Sequence, residues 1–596
     1  MTSLFQHRLN RVRSRTQPCW ITVCLAALFT ANATDRPNVL FIAVDDLRPE
    51  LGCYGSTEAI TPHIDRLAAE GIRFDSAHCQ VAVCNPSRVS VLTGLRPDTS
   101  KVWTLDVRFR DTVPGALTLP RHFKDHGYTT LGFGKIFHNP WPDNESWSKP
   151  HSWPKSRLWS EEAKADLAAF KKTLREKGVA PPKIERLRAT ATEAVAIEDS
   201  AHIDGAIAEQ ALAAMRTLAT KEEPFFLAAG FVRPHLPFVV PTKYWDLYDR
   251  DALTLANETS IPQNAPRFAM NTMYELRDYF DYLETPDPLS GSLTESQQRE
   301  LKHGYLASVS FIDAQVGRLL DQLEDLGLTE NTVVVLWSDH GFKLGEHNSW
   351  CKQTNHEIDT RVPLLISAPG FRGNGSAHTT PVELLDIFPT LCDLTGLPIP
   401  EAVEGVSLRQ ALDKPSRIVK KAAVSQFLRR HENREVMGYA IRDNRWRYIE
   451  WIDLENEVMI AQELYDHQTD PGERVSLAQE VEHEQTLKQL RIELHAILRQ
   501  EPGAVPAEER PKQRAARNPG ANKSQPGERP RLTFKNESEN EVTVFWLPPD
   551  NRGPKRTGEI APGKSRSVQS TLGHRFRIVG GGNDRIITVS QAKEVV

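Results

Sequence analysis

The stretch Asn38-Val39-Leu40-Phe41-Ile42-Ala43-Val44-Asp45-Asp46 is a near-continuous apolar run that stops at two carboxylates. A segment apolar on both faces suits a strand buried inside a parallel sheet, with polar residues gathered at its carboxyl end. Two later runs have the same form: residues 224–231 ahead of Arg233-Pro234-His235, and residues 332–337 ahead of Ser338-Asp339-His340-Gly341. Residues 362–368, closed by Pro369-Gly370, are a fourth candidate. Helical patterns lie between them at 61–69 and at 305–326, where Leu, Val and Ile recur at helical spacing. This alternation predicts an α/β domain with a mostly parallel central sheet flanked by helices. Ligands of such sheets bind beyond the carboxyl ends of the strands. Three of the runs deliver Asp45, Asp46, His235, Asp339 and His340 to that edge.

Working outward, 596 residues are too many for one ordinary core, so two or three domains are expected. Residues 139–201 are Trp-rich, then charged and helical, and read as an insertion over the rim of the site. Its Trp141, Trp147, Trp153 and Trp159 could stack on sugar rings, although packing of the insertion is the commoner use. From about Ser425 shorter strands follow (445–451, 463–466), then a helix at about 481–499, forming a smaller α+β subdomain. Residues 503–530 are Pro, Gly, Ala and charged residues without a periodic apolar face, the composition of a flexible linker. Beyond it, β-rich runs at 542–546 and 575–579 around Pro-Gly turns form a small all-β module. The predicted division is 1–33, 34–424, 425–502, 503–530 and 531–596.

Arg8, Arg11, Arg13 and Arg15 precede an apolar stretch at 19–29 and the small-residue site Ala31-Asn32-Ala33. That order predicts a secretory signal peptide cleaved after Ala33. The apolar run is about half the ~20 residues a spanning helix needs, and no later segment is long and apolar enough. An exported protein, periplasmic or extracellular and without an integral span after cleavage, is therefore expected. Cys19 and Cys24 leave with the peptide; Cys53, Cys79, Cys84, Cys351 and Cys392 remain. They form no closely spaced disulfide framework and no CxxC zinc pattern. Five is odd, so at least one is unpaired or modified, and Cys84 is the candidate. The formal net charge of -5 gives no electrostatic case for nucleic acid as a partner.

Asp45, Asp46 and Asp339 offer hard oxygen ligands that suit one calcium ion, with His340 beside them. Zinc or manganese is the alternative, because a His ligand is not typical of calcium. Cys84-Asn85-Pro86-Ser87-Arg88, followed by Leu92-Thr93-Gly94-Leu95-Arg96, completes the set. Together with the double Asp and the Asp-His-Gly, these residues resemble the sulfatase family of the alkaline-phosphatase superfamily. The resemblance implies that a separate maturation enzyme converts Cys84 to formylglycine (3-oxoalanine). The aldehyde then hydrates, one oxygen attacks sulfur, and the second hydroxyl expels sulfate as the aldehyde re-forms. It implies a metal held by Asp45, Asp46, Asp339, His340 and the modified Cys84. In Gly134-Lys135-Ile136-Phe137-His138 it makes Lys135 a sulfate ligand and His138 the base that collapses the sulfated intermediate. Lys352 is a second cationic clamp, His235 the proton donor to the leaving oxygen, and Arg88 the group that holds the formylglycine and its turn.

Within the family, Asp45-Asp46-Leu47-Arg48-Pro49, Gly52-Cys53-Tyr54-Gly55, Arg233-Pro234-His235 and the run from His340 to His347 are similar to the iduronate 2-sulfatase group. Sulfated carbohydrate is therefore the expected substrate class, glycosaminoglycan included. The tail resembles the von Hippel–Lindau β domain through Phe534-Lys535-Asn536, Val544-Phe545-Trp546, Ala561-Pro562-Gly563 and Thr571-Leu572-Gly573-His574. Ser570 and His574 match two positions of that family's hydroxyproline pocket, whereas Thr557 and Phe576 replace its Tyr and Trp. A sandwich used for attachment or docking is the expectation. The rival readings are a formylglycine-dependent phosphonate monoester or phosphodiester hydrolase and, from another class, a non-catalytic adhesin.

Overall fold

A computed structural model describes residues 36–156, 158–257, 259–371, 375–499, 531–536, 542–547, 555–569, 575–580, 583–588 and 593–595. The expected signal peptide and linker lie outside the described residues, as do Ser570 and His574. The central sheet has seven strands: β1 (Asn38–Val44), β2 (Ile72–Phe74), β3 (Thr129–Gly134), β4 (Phe225–Phe231), β5 (Thr332–Ser338), β6 (Leu364–Ser367) and β7 (Ala377–His378). Their order is β7-β2-β6-β5-β1-β4-β3. β1 pairs in parallel with both β4 and β5, and β3 with β4. The exception is β6, antiparallel to β5 and to β2. No crossover helix joins β5 to β6. The chain loops through residues 339–363 with one helical turn, Glu357–Thr360, and re-enters the sheet from the carboxyl edge.

Strand alternation splits the core into two layers. Leu40, Ile42, Val44, Leu227, Ala229, Val334 and Leu336 point to one face, and Val39, Phe41, Phe226, Val333, Val335 and Trp337 to the other. Helices α1 (Pro62–Glu70), α2 (Cys84–Thr93), α4 (Ile203–Leu218) and α5 (Glu295–Asp325) pack around it, while α3 (Glu161–Glu176) belongs to the insertion and buries only Ala163. α1, α4 and α5 cover the first face through Ile64, Leu67, Ile207, Ala211, Leu306, Val309, Val316 and Leu323. α2 covers the second through Val89, Val91 and Leu92. A capping box between Thr294 and Gln297 starts α5, satisfying two otherwise orphaned amides. In the insertion, Trp147 is buried against Gly132, whose missing side chain makes room for the indole. Its use is packing, whereas Trp153 stays exposed.

Beyond the main sheet, β8 (Ala423–His431), β9 (Arg434–Arg442), β10 (Trp446–Asp453) and β11 (Val458–Asp466) form an antiparallel meander. Helix α6 (Glu484–Leu498) packs on one face through Leu487, Leu490 and Leu494. The other face, with Val436, Ile449 and Trp451, closes on the main domain at Ala269. Gly438 lets the Trp451 ring and the Asn355 amide approach its backbone; a Cβ there would collide with both. The tail strands form a three-stranded and a four-stranded sheet. In it the Thr557 hydroxyl donates to the Val544 carbonyl, and Phe576 packs edge-on against Phe534. Among the described residues no helix is long and apolar enough to cross a membrane.

Candidate active site

β1, β3, β4 and β5 run in one direction, so the residues after them share one edge. Asp45 and Asp46 follow β1 and are fully buried. Asp46 adopts a left-handed backbone (φ 59°), a conformation short polar side chains tolerate best. The turn is fixed from outside. Its N–H donates to Asp339 Oδ1 at 3.2 Å, and its carbonyl accepts from the Tyr305 hydroxyl at 2.9 Å. Arg48 N–H donates to that same hydroxyl, and Leu47 N–H to Ser338 Oγ. Asp339 and His340 follow β5, equally buried.

Cys84 is the first residue of α2, and all ten residues of that helix are buried. Its sulfur lies 3.3 Å from His340 Nε2 and 3.6 Å from Lys135 Nζ. Arg88, one turn on, joins three strand ends. It donates to Asp339 Oδ2 at 2.8 Å, to Asp45 Oδ1 at 3.0 Å, and to the carbonyls of Lys135 and Ile136. Four of its five N–H groups go to these bonds, so it holds the framework around Cys84. Asn85 donates to the Thr104 and Val107 carbonyls, a packing role.

Lys135, at the end of β3, pairs with Asp45. Lys352, on the β5–β6 loop, pairs with Asp46 at 2.7 Å. His235 follows β4 in a turn shaped by Asp204 of α4, whose carboxylate accepts the Val232 and Arg233 amides. Its Nδ1 contacts the Leu236 carbonyl at 2.6 Å and its Nε2 lies 3.0 Å from Glu275. The same Glu275 pairs with Lys352 at 2.8 Å. His138, three residues after Lys135, is half-buried; its Nδ1 is buried without a hydrogen-bond partner, and no described hydrogen bond joins it to Cys84. Glu275 was not found by sequence reasoning: its segment carries no strand or helix period, and only a buried acid beside two site cations could mark it. Asp204 had a weak signal, an acid in the first turn of α4.

The five described cysteines are all free thiols. Burial drives four of them up: Cys53, Cys79 and Cys351, and Cys392 to about 12. Cys84 alone goes the other way. Burial and the Asp45 charge push its thiol up, but Lys135, His340 and Lys352 bring it well below the usual value. Burial also raises Asp46 and carries Asp339 to about 7, despite Arg88 beside it. Burial lowers His340, and the Asp339 and Asp46 charges more than reverse this, to about 10.

One donor atom each from Asp45, Cys84, Asp339 and His340 lies within 4.8 Å of the others, and so does the set Asp45, Asp46, Cys84 and His235. Asp46 Oδ1 is a buried carboxylate oxygen without a hydrogen-bond partner. A buried oxygen that has no hydrogen bond, only His340 Nε2 at 3.3 Å, and that stands among three carboxylates fits a hard divalent cation.

The family model named Sulfatase matches residues 37–397, more than half the chain, and the one named N-sulphoglucosamine sulphohydrolase, C-terminal, matches 345–500. The chain is 32% identical over 528 residues to iduronate 2-sulfatase of Mus musculus, covering 77% of this chain and 94% of that protein. It is 31% identical over 517 residues to iduronate 2-sulfatase of Homo sapiens, covering 76% and 93%. Among solved structures, BT4656 in complex with its substrate D-glucosamine-2-N,6-O-disulfate matches with a TM-score of 0.61 at 21% identity, over 79% of this chain and all of that one. Phosphonate monoester hydrolase from Silicibacter pomeroyi matches with 0.60 at 22%, over 78% and 96%. These two likenesses show the fold.

Proposed function

The chain belongs to the sulfatase family and is a sulfuric ester hydrolase, and from that premise we propose that it removes O-sulfate from a sulfated carbohydrate using a formylglycine made from Cys84 and one calcium ion. The observation that carries this reading is the convergence on Cys84: the one thiol driven down among the described residues stands among acids and cations from four strand ends. Asp45, Asp46, Asp339, His340 and the oxidised Cys84 would hold calcium. With both groups bound, the hydrated aldehyde supplies the attacking oxygen and calcium polarises it.

The chain's own residues do the rest. Arg88 keeps Asp45, Asp339 and residue 84 in register. Lys135 and Lys352 present positive charge to the sulfate oxygens, stabilising charge as it spreads over the transferring group. His235 gives a proton to the departing sugar oxygen. His138, with a free buried Nδ1, takes the proton whose loss releases sulfate. Because every residue of α2 is buried, a maturation enzyme must meet Cys84 before the chain folds. Iduronate 2-sulfatase-like action on glycosaminoglycan is the substrate lead, from the 31–32% identity to those enzymes. Export to the periplasm or cell exterior follows from residues 1–33, and docking of the enzyme to a protein or surface is assigned to residues 531–596.

The test is the mass of the peptide carrying position 84, expected about 18 Da below the unmodified cysteine form. Assays on sulfated disaccharides, aryl sulfates and phosphodiesters follow. A preference for phosphodiesters by orders of magnitude would replace this reading with a phosphonate or phosphodiester hydrolase, the second reading that the fold likeness keeps in play.

A further inference from the structure

Residues 271–275 lie between two single 3₁₀ turns, Arg267–Ala269 and Leu276–Asp278, with no regular structure of their own. They nevertheless hold the loop that carries Lys352 at every residue from 350 to 353 except Cys351. The Asn271 amide donates to the carbonyls of Trp350 at 2.9 Å and Lys352 at 2.8 Å. Trp350 N–H rests on the Met273 sulfur at 3.2 Å, and the Gln353 amide donates to the Tyr274 hydroxyl at 2.7 Å. Three residues of this contact, Met273 (φ 52°), Cys351 (φ 70°) and Gln353 (φ 87°), have left-handed backbones. Non-glycine residues persist there only where surrounding contacts over-determine them. The strain therefore marks a place where the position of Lys352 is imposed.

Glu275 ends this segment, and its carboxylate reaches two groups of the site. Lys352 Nζ lies 3.0 Å from one oxygen and 2.8 Å from the other, and His235 Nε2 lies 3.0 Å from the first. A carbonyl only accepts, so His235 Nδ1, 2.6 Å from the Leu236 oxygen, carries a hydrogen. That leaves Nε2 turned to the Glu275 carboxylate, which fixes its direction, and a hydrogen there as well makes the ring an imidazolium. Neutralising Lys352 alone would not need Glu275, because Asp46 already pairs with it.

We infer that Glu275 is a positioning residue that locks His235 Nε2 and Lys352 Nζ into one array and so sets the enzyme's competence on sulfates of poor leaving groups, such as sugar hydroxyls. The inference rests on the sulfatase reading and on His235 facing the leaving oxygen. As sulfur bonds to the attacking oxygen, its bond to the sugar oxygen breaks. The electron pair stays on that oxygen; the His235 imidazolium gives it the Nε2 proton and is left neutral, its Nδ1 hydrogen still on the Leu236 carbonyl. An alkoxide needs that proton; a nitrophenolate leaves well without it.

The experiment compares wild type, Glu275→Gln and Glu275→Asp on nitrophenyl sulfate, on phenyl sulfates of rising leaving-group pKa, and on a sulfated sugar. For Glu275→Gln, kcat on the sugar sulfate is expected to fall about 100-fold, the scale of general acid catalysis, and on nitrophenyl sulfate less than about 10-fold. The dependence of kcat on leaving-group pKa steepens while KM shifts equally for both substrates. Glu275→Asp, which keeps the charge, restores part of the sugar-sulfate kcat. Equal losses on both substrates, or an unchanged leaving-group dependence in both variants, would overturn the inference while leaving the sulfatase reading intact. A wild type that cleaves neither sulfate would remove the reading and the inference with it.

Discussion

Two clusters in this molecule pair acids with histidine at similar range, and their acids are not held alike. At the sheet edge, donor atoms of Asp45, Cys84, Asp339 and His340 lie within 4.8 Å of one another; beneath the C-terminal meander, so do those of Glu357, His467 and Glu473. In the second cluster burial would raise both glutamates, yet the arginines prevail. Arg442 and Arg447 hold Glu357, and Arg447 and His467 hold Glu473, well below the usual carboxylate range. In the first the acids divide: despite burial, Lys135 and Arg88 hold Asp45 well below the usual range, whereas burial prevails at Asp46 and Asp339, which are raised, and Asp46 Oδ1, 3.3 Å from His340 Nε2, has no hydrogen-bond partner. Acids and a histidine within reach do not therefore make a metal centre. What sets the first apart is that burial keeps two of its carboxyls raised even beside the protein's own cations.

The largest expected effect breaks the first cluster at its centre. Cys84→Ala should lower kcat on aryl sulfate by at least about 10⁴-fold, as removing a covalent nucleophile does, with the melting temperature little changed. Residual activity within 10-fold of wild type would remove Cys84 from the chemistry. Next comes the cation. Stripping the protein with a chelator should abolish activity. Restoring calcium at 100 times its Kd should return activity and stabilise the fold by about 2.7 kcal/mol. Asp46→Asn should lose that calcium-dependent thermal shift, whereas Glu473→Gln should keep it. A shift lost equally in both would erase the distinction between the clusters.

How far the sequence disclosed this difference depends on backbone regularity. Parallel strands announce themselves as apolar runs that end in polar residues, so Asp45, Asp46, His235, Asp339 and His340 were legible as one edge. Cys84 and Arg88 came through a motif. Lys135, His340 and Lys352 came to Cys84 only through the family resemblance; periodicity alone could not bring them to the thiol, because they arrive from two distant segments, the end of β3 and the β5–β6 loop. Nor was the reversed direction of β6 legible, since an apolar run is the same read either way. Glu275 and Asn271 lie in irregular chain, where only tertiary contact gives a residue its meaning. Trp147, one of four equivalent tryptophans in the sequence, is separated from Trp153 only by Gly132 beneath it.

The second cluster offers the smaller effects. Arg447 is 1% exposed and joins Glu357 and Glu473. Arg447→Met should leave two buried carboxylates short of a partner and cost about 3–5 kcal/mol, read as a lower urea midpoint. Destabilisation below about 1 kcal/mol would mean that the network is not the clamp its geometry describes.

Glu473→Gln tests the same network through pH. Its carboxylate is depressed in the folded protein by Arg447 and His467, despite burial. A depressed acid contributes stability that is complete above the unfolded value of about 4.3 and is lost as pH falls through and below it, at up to about 1.4 kcal/mol per pH unit. Wild type should therefore exceed the variant in stability most at about pH 6, and the gap should begin to narrow near pH 4 and go on narrowing as the pH falls further. The site acids with raised values cannot produce this signature, because an elevated carboxyl binds its proton more readily in the folded state and favours folding as pH falls. A gap that widened on acidification would reverse the assignment and make Glu473, not Asp339, the under-compensated acid.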